Sequence, residues 1–233
     1  MIHRIRGFIR ENPHSLILLY YIFYLAGFVL LEKTTVPRYI IYCPLDDMIP
    51  FCEWFLIPYA SWFILLLGAP LYFLLTDKRD FLKITFIMFT GMTLCLLLYL
   101  LFPNGLQLRP QITGDNLLCR IAQLLYSIDT PTNVCPSIHV SSSVAAAIVV
   151  NRSQRLKKRY KIRILSTLWV VLICLSTLFV KQHSVIDLLC GTLVSLVLAA
   201  VAYSPRLENR AHLGLRSAVL HFTSKKKGGN PEI

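Results

Sequence analysis

Read for apolar and polar positions, the chain alternates six apolar stretches, 15–31, 53–76, 81–102, 137–150, 162–180 and 183–203, with short polar or charged segments. A helix rises 1.5 Å per residue, so about 20 such residues cross the hydrocarbon core of a bilayer. The pattern predicts an all-α bundle of six transmembrane helices, one integral membrane domain over 1–233, with 204–233 as a basic tail. The fourth stretch is the shortest and is rich in Ser and Ala, from Ser141 to Ala147. Small side chains let helix backbones approach closely, which places this stretch inside the bundle rather than against lipid. The first stretch follows basic residues, as in a signal peptide. Ser15 to Leu31 is nevertheless long enough to span and ends in Glu32-Lys33 with no small-residue cleavage site, so it reads as a retained helix.

Composition supports the same solvent. The 233 residues are 55% hydrophobic and 15% charged, and the mean hydropathy is +0.59. A soluble domain carries nearer a quarter charged residues. The net charge of +12 does not indicate a nucleic-acid partner, because the Lys and Arg sit in short clusters between apolar stretches. The N-terminal segment, the loop after the second stretch, the loop after the fourth and the C-terminal tail together hold nineteen of the 24 Lys and Arg. By the positive-inside rule both termini face the cytoplasm and the three intervening loops face outward.

Three segments in the outward half combine residues suited to catalysis. They are Arg109-Pro110 after the third stretch, Pro136-Ser137-Ile138-His139 at the start of the fourth, and His183-Ser184-Val185-Ile186-Asp187 at the start of the sixth. Ionisable groups at membrane depth are costly, so His139, His183 and Asp187 need an explanation. His183 and Asp187 are four residues apart and share a face if helical. A carboxylate that accepts one ring proton leaves the other ring nitrogen with a free lone pair. His139 offers a second imidazole for proton transfer, and Arg109 a fork matched to phosphate oxygens. The fourth and sixth helices both start on the outer side, where helix N-termini favour anions. With Lys181 nearby, the set describes a phosphate pocket that needs no metal and no cofactor. The bland alternatives are a capping histidine at 139, a structural intramembrane His–Asp pair at 183 and 187, and solvated histidines at His3, His14, His212 and His221.

These segments resemble the type-2 phosphatidic acid phosphatase superfamily of membrane lipid phosphatases and phosphotransferases. Its signature runs Lys-x6-Arg-Pro, Pro-Ser-Gly-His and Ser-Arg-x5-His-x3-Asp on a six-helix core. Here Arg109-Pro110 matches the end of the first, with Phe102 at the Lys position. Pro136, Ser137 and His139 match the second, with Ile138 for Gly. Ser176, His183 and Asp187 match the third, with Thr177 for Arg. The resemblance implies that His183 is the nucleophile, Asp187 its orienting partner and His139 the general acid, with Arg109 and Ser137 holding the phosphate. Two phosphate-binding charges are missing, for which Lys181 or Arg120 can partly compensate. These departures, and the stretch from Ile49 to Trp62, are similar to the branch containing inositolphosphorylceramide synthases, which transfer a phospho-headgroup between lipids.

The sequence therefore points first to hydrolysis of a phosphomonoester or pyrophosphate of a membrane lipid at the outer face, through a phosphohistidine. Headgroup transfer to another alcohol is the second reading, and a non-enzymatic scaffold or transporter the third. Neither repeats nor paired broken helices of a transporter are present. Partners are the membrane and a phosphorylated lipid; oligomeric state is left open. Of the seven cysteines, Cys43, Cys52, Cys119 and Cys135 fall outside, and Cys43–Cys52 and Cys119–Cys135 are expected as disulfides if that compartment is oxidising.

Overall fold

The computed structural model describes residues 2–205, so most of the basic tail lies outside the described residues, as do His212 and His221. A short helix α1 (Ile2–Glu11) leads into a 3₁₀ turn (Pro13–Leu19) that continues as α2 (Tyr20–Thr34). After a loop with strand β1 (Tyr39–Ile40) and the one-turn helix α3 (Leu45–Met48) come α4 (Leu56–Thr76) and α5 (Lys78–Leu101). Strand β2 (Asn104–Gly105), α6 (Leu117–Ile128), α7 (Ile138–Arg152), α8 (Tyr160–Phe179) and α9 (Val185–Ala202) complete the chain.

Among the described residues five helical segments are long and apolar enough to cross a membrane: Pro13–Thr34, Glu53–Thr76, Lys78–Leu101, Tyr160–Phe179 and Val185–Ala202. The protein is an integral membrane protein built almost wholly of helix. The fourth predicted stretch forms α7, but its 15 residues reach only about 22 Å, short of a full hydrocarbon core. It is the central helix. Ser141, Ser142, Ser143, Ala145 and Ala146 are all buried, against α5 on one side and α8 and α9 on the others.

Two glycines set how closely α7 is approached. A Cβ on Gly91 of α5 would lie 2.8 Å from Ser141 Oγ, and one on Gly191 of α9 would lie 2.6 Å from the Ser137 carbonyl oxygen. Hydroxyls close the α7–α9 seam, where Ser195 Oγ donates to the Ser141 carbonyl at 2.6 Å. On the lipid side leucines, isoleucines and phenylalanines stand exposed along α2, α4 and α8. The turn between α4 and α5 is the single residue Asp77, whose carboxylate accepts from Arg79 N and Asp80 N and so caps α5.

The segment between α5 and α7, read from sequence as loop, contains α6. Its faces divide three ways. Leu118, Ala122 and Leu125 pack on Leu56, Tyr59 and neighbours, Arg120, Gln123 and Ser127 form a polar strip, and Leu117, Ile121, Leu124 and Ile128 stand exposed. At this end of the bundle β1 pairs in parallel with β2, and Gly105 bridges to Thr132, which ties the loop after α2 to both ends of the segment between α5 and α7. His14 is not simply solvated: its ring meets Phe81 edge-on, centroids 5.5 Å apart.

Candidate active site

His183 precedes α9 rather than lying on it. Ser184 is the N-cap and Asp187 the third helical residue, and the two form a reciprocal capping box. The expected His–Asp contact survives this shift: His183 Nδ1 lies 3.3 Å from Asp187 Oδ2, an oxygen that also accepts from Ser184 N at 2.8 Å. Capping therefore fixes the carboxylate before the imidazole uses it. His183 is 6% exposed and Asp187 fully buried.

Where the signature has Arg, Thr177 is buried with its hydroxyl donating to the Cys174 carbonyl. Its own carbonyl accepts from both Gln182 N and His183 N, so this residue shapes the histidine loop through its backbone. Phe102 ends α5 with its ring exposed.

His139 sits in the first turn of α7, with its Nδ1 3.4 Å from His183 Nε2. Aromatic rings of α4 wall it in: Tyr59 stacks at 4.8 Å between centroids and Trp62 lies at 4.1 Å. Trp62 is itself pinned, its Nε1 donating to Ser142 Oγ at 2.8 Å. Ser137 caps α7, its Oγ accepting from Val140 N at 3.3 Å and its N donating to the Asp187 carbonyl at 3.1 Å. The segment before it is held by Tyr99, whose hydroxyl donates to the Pro136 carbonyl, and by Asn104, which engages Val134 N, Cys135 N and the Cys135 carbonyl.

Arg109 joins the same end of the bundle. Its Nη1 donates to the Asp129 carbonyl at 2.7 Å and to that of Tyr126 at 3.3 Å, and its Nη2 donates to Gln182 Oε1 at 2.5 Å. Its Nε is buried without a partner, and the guanidinium lies over the Tyr126 ring. Burial draws Arg109 down from its usual value, with the Asp129 carboxylate opposing. Burial also pushes Asp129 up to about 6, with Glu32 adding to the rise.

Lys181 is placed differently. It is buried, and its ammonium donates to the Asp46 carbonyl at 2.7 Å. Burial lowers it and the Asp46 and Asp47 carboxylates oppose. One of its three N–H donors is thereby committed, and the other two remain for a phosphate oxygen. Arg120, the other compensating candidate, donates through Nε to the neighbouring Asp115 carbonyl.

The anion-binding reading of the helix ends is corrected for α9. Asp46, 2% exposed, accepts from Val185 N through Oδ1 at 2.9 Å and from Ser184 Oγ through Oδ2 at 2.7 Å. Its Oδ2 also takes Cys43 N at 2.8 Å. A resident carboxylate thus already answers the positive end of α9, and α7 is left as the helix start facing the histidines. The expected disulfides are corrected too: Cys43, Cys52, Cys119 and Cys135 are free thiols. Cys119 faces Gly114 and Cys135 lies beside Asp187 and Cys190, while the Cys52 end of its loop is tied by a bond from Cys52 N to the Phe179 carbonyl.

Sequence reasoning brought together His139, His183, Asp187, Ser137 and Arg109 and missed Asp46, Gln182, Tyr99 and Asn104. Tyr59 and Trp62 fell in the stretch already singled out, but without a role. The one signal for Asp46 was an acidic pair, Asp46-Asp47, inside an otherwise apolar segment. Among the described residues no three His, Cys, Asp or Glu side chains gather as a metal site requires. A cavity of about 380 Å³ lies at the far ends of α7 and α9, by Asn151 and Arg152, away from the histidines.

A family model, the PAP2 superfamily, matches residues 82–210, a span that contains Arg109, both histidines and Asp187. No curated protein and no solved structure matches the chain. The match covers more than half of the sequence, and the chain belongs to the PAP2 superfamily, whose members are generally phosphatases or phosphotransferases.

Proposed function

We propose that this protein is a lipid phosphate phosphatase that cleaves a phosphomonoester or pyrophosphate of a membrane lipid through a phosphohistidine. The observation that carries the reading is the line Asp187–His183–His139, with contacts of 3.3 and 3.4 Å. Asp187 holds the Nδ1 proton of His183, which turns the Nε2 lone pair outward. In the contact with His139 only His139 can then donate, so at rest its Nδ1–H fills that lone pair. Substrate must part the two rings, which leaves His139 poised beside the incoming phosphoryl group with its proton in hand.

Nε2 of His183 attacks phosphorus, the bond from phosphorus to the lipid oxygen breaks, and His139, acting as imidazolium with both ring nitrogens protonated, gives one proton to the leaving oxygen and becomes neutral imidazole. A water then surrenders a proton to His139 as its oxygen bonds to phosphorus, the phosphorus–nitrogen bond breaks, and both rings return to their starting state. Asp187 remains ionised throughout. In this reading Arg109 and Ser137 steady the phosphoryl oxygens, and Lys181 joins them with the donors it does not give to the Asp46 carbonyl. The chemistry needs no metal, since imidazole supplies both nucleophile and acid.

The site belongs, in this reading, on the non-cytoplasmic face. The histidines lie at the end of the bundle that carries the 35–52 and 102–136 segments, opposite the 152–163 loop with its seven Lys and Arg. With α7 as a sixth crossing, both termini are cytoplasmic.

Headgroup transfer, as in the inositolphosphorylceramide synthase branch, is the second reading, favoured by charge. Thr177 and Phe102 remove two cations from the signature, Lys181 is engaged with Asp46, and the Asp46 carboxylate neutralises the start of α9. A phosphodiester carries one negative charge and needs less compensation than a phosphomonoester. Purified enzyme offered labelled phosphatidate and labelled phosphodiester lipid, with and without a diacylglycerol or ceramide acceptor, separates these readings. Acid-labile phosphate on the protein, absent in His183→Ala, is expected in the first; wild-type turnover by His183→Ala sinks the mechanism.

A further inference from the structure

The residue before His183 has polar capacity that the fold does not use. Gln182 is 3% exposed, and its Oε1 accepts from Arg109 Nη2 at 2.5 Å. A guanidinium can only donate, so chemistry settles which end of the amide faces it; a flip would set two donors against each other. The amide Nε2 is therefore turned away from Nη2, and it is buried with no acceptor. On the same guanidinium, Arg109 Nε is also buried with no acceptor. Two donors of one hydrogen-bonded unit thus lie unpaired beside the nucleophile. Buried donors are normally satisfied, and exceptions mark places where something else supplies the acceptor. Binding to a cation through its oxygen also polarises the amide and strengthens its N–H as a donor.

We propose that Gln182 is a substrate-binding residue whose Nε2–H donates to a non-bridging oxygen of the phosphoryl group, acting as one unit with Arg109. This rests on the reading of His183 as the nucleophile. An anionic oxygen with no proton of its own suits either orphaned donor. The neutral amide supplies a contact where the signature's missing Arg would have supplied a charge, so the pocket binds phosphoryl oxygen without adding positive charge.

The test uses the full chain purified in detergent, titrated with sodium orthovanadate, orthophosphate and short-chain phosphatidate and followed by thermal stabilisation, alongside turnover. Gln182→Glu keeps an oxygen for Arg109 and replaces the donor with a negative oxygen. It should melt no lower than wild type, weaken orthovanadate by roughly tenfold or more, and raise KM more than it lowers kcat. Gln182→Met, similar in size but without either polar group, should weaken the anions likewise and carries the test if the glutamate variant does not fold. A purely structural amide gives the opposite result, a Gln182→Glu protein that binds all three probes within about twofold of wild type. That result overturns the inference, as does wild-type protein that binds none of the three, or weakening confined to phosphatidate, which would assign Gln182 to the lipid-borne part. His183→Ala distinguishes the two levels: if it retains turnover the nucleophile assignment falls, whereas inactive His183→Ala with unaltered anion binding by Gln182→Glu removes only this proposal.

Discussion

Asp46→Ala is expected to loosen the start of α9 and, through it, the chemistry. The carboxylate accepts from Val185 N, Ser184 Oγ and Cys43 N at 2.7–2.9 Å, in a place that is 2% exposed. The Ser184 hydroxyl can rotate to another acceptor, but the two backbone N–H groups cannot move freely. Each buried donor left unpaired costs about 1–3 kcal/mol, and losing a helix cap about 1 kcal/mol. Since these overlap, the total is about 3 kcal/mol, equivalent to a fall in Tm of roughly 6–12 °C for a chain of this size. Asp46→Asn keeps an oxygen for Val185 N and should lose about half as much. The catalytic consequence is larger, because a misplacement of about 1 Å at a reacting group costs about a hundredfold in rate. Thermal unfolding in detergent and kcat/KM on a labelled lipid phosphate measure the two effects. Asp46→Ala with a Tm within about 2 °C of wild type and undiminished kcat/KM would show that the clamp is ornamental.

Gly191→Ala should part α9 from α7, since the added carbon falls 2.6 Å from the Ser137 carbonyl oxygen; activity should drop more than tenfold (roughly, by the positioning argument), while Gly68→Ala, where a Cβ meets nothing within 4 Å, should be neutral. Asp129 titrates at about 6 in the fold, above its unfolded value, so the folded state binds the extra proton and stability falls as pH rises from about 4 through about 6. Asp129→Asn should flatten that slope and raise Tm at pH 7.5, and a steeper slope would contradict the burial argument. Cysteine tagging should label a residue beside Arg109 only from the non-cytoplasmic side and one in the 152–163 loop only from the cytoplasm; the reverse would invert the proposed topology. His139→Ala should lose most activity on alkyl phosphates yet keep more on an activated aryl phosphate, whose leaving group needs little protonation.

Sequence made the bundle legible because bilayer-spanning stretches advertise themselves through length and hydropathy, and α7 through its run of Ser and Ala. It made His139, His183 and Asp187 legible because ionisable residues at membrane depth are rare. What it concealed depends on contacts across long separations. Asp46 reads as an ordinary loop acid until Ser184 and Val185 are beside it, and Gln182 as filler until Arg109 touches its oxygen. α6 was hidden for a different reason: its exposed stripe Leu117, Ile121, Leu124 and Ile128 has helical spacing, but 12 residues are too few to register as a span. The boundary error at His183 has a local cause, since the Ser184–Asp187 capping box starts the helix one residue after the histidine.

The clamp at Asp46 also bears on how the enzyme is made. Its carboxylate belongs to the loop between α2 and α4, whereas Ser184 and Val185 open α9, so α9 must be made before the two can meet. His139 emerges midway and waits for His183 and Asp187. In the proposed mechanism a nascent chain that stops short of α9 therefore lacks both His183 and Asp187 and holds no working nucleophile. In the proposed mechanism activity waits until α9 slots behind Ser137 and its first turn closes over Asp46, which makes synthesis of α9 the checkpoint for catalysis.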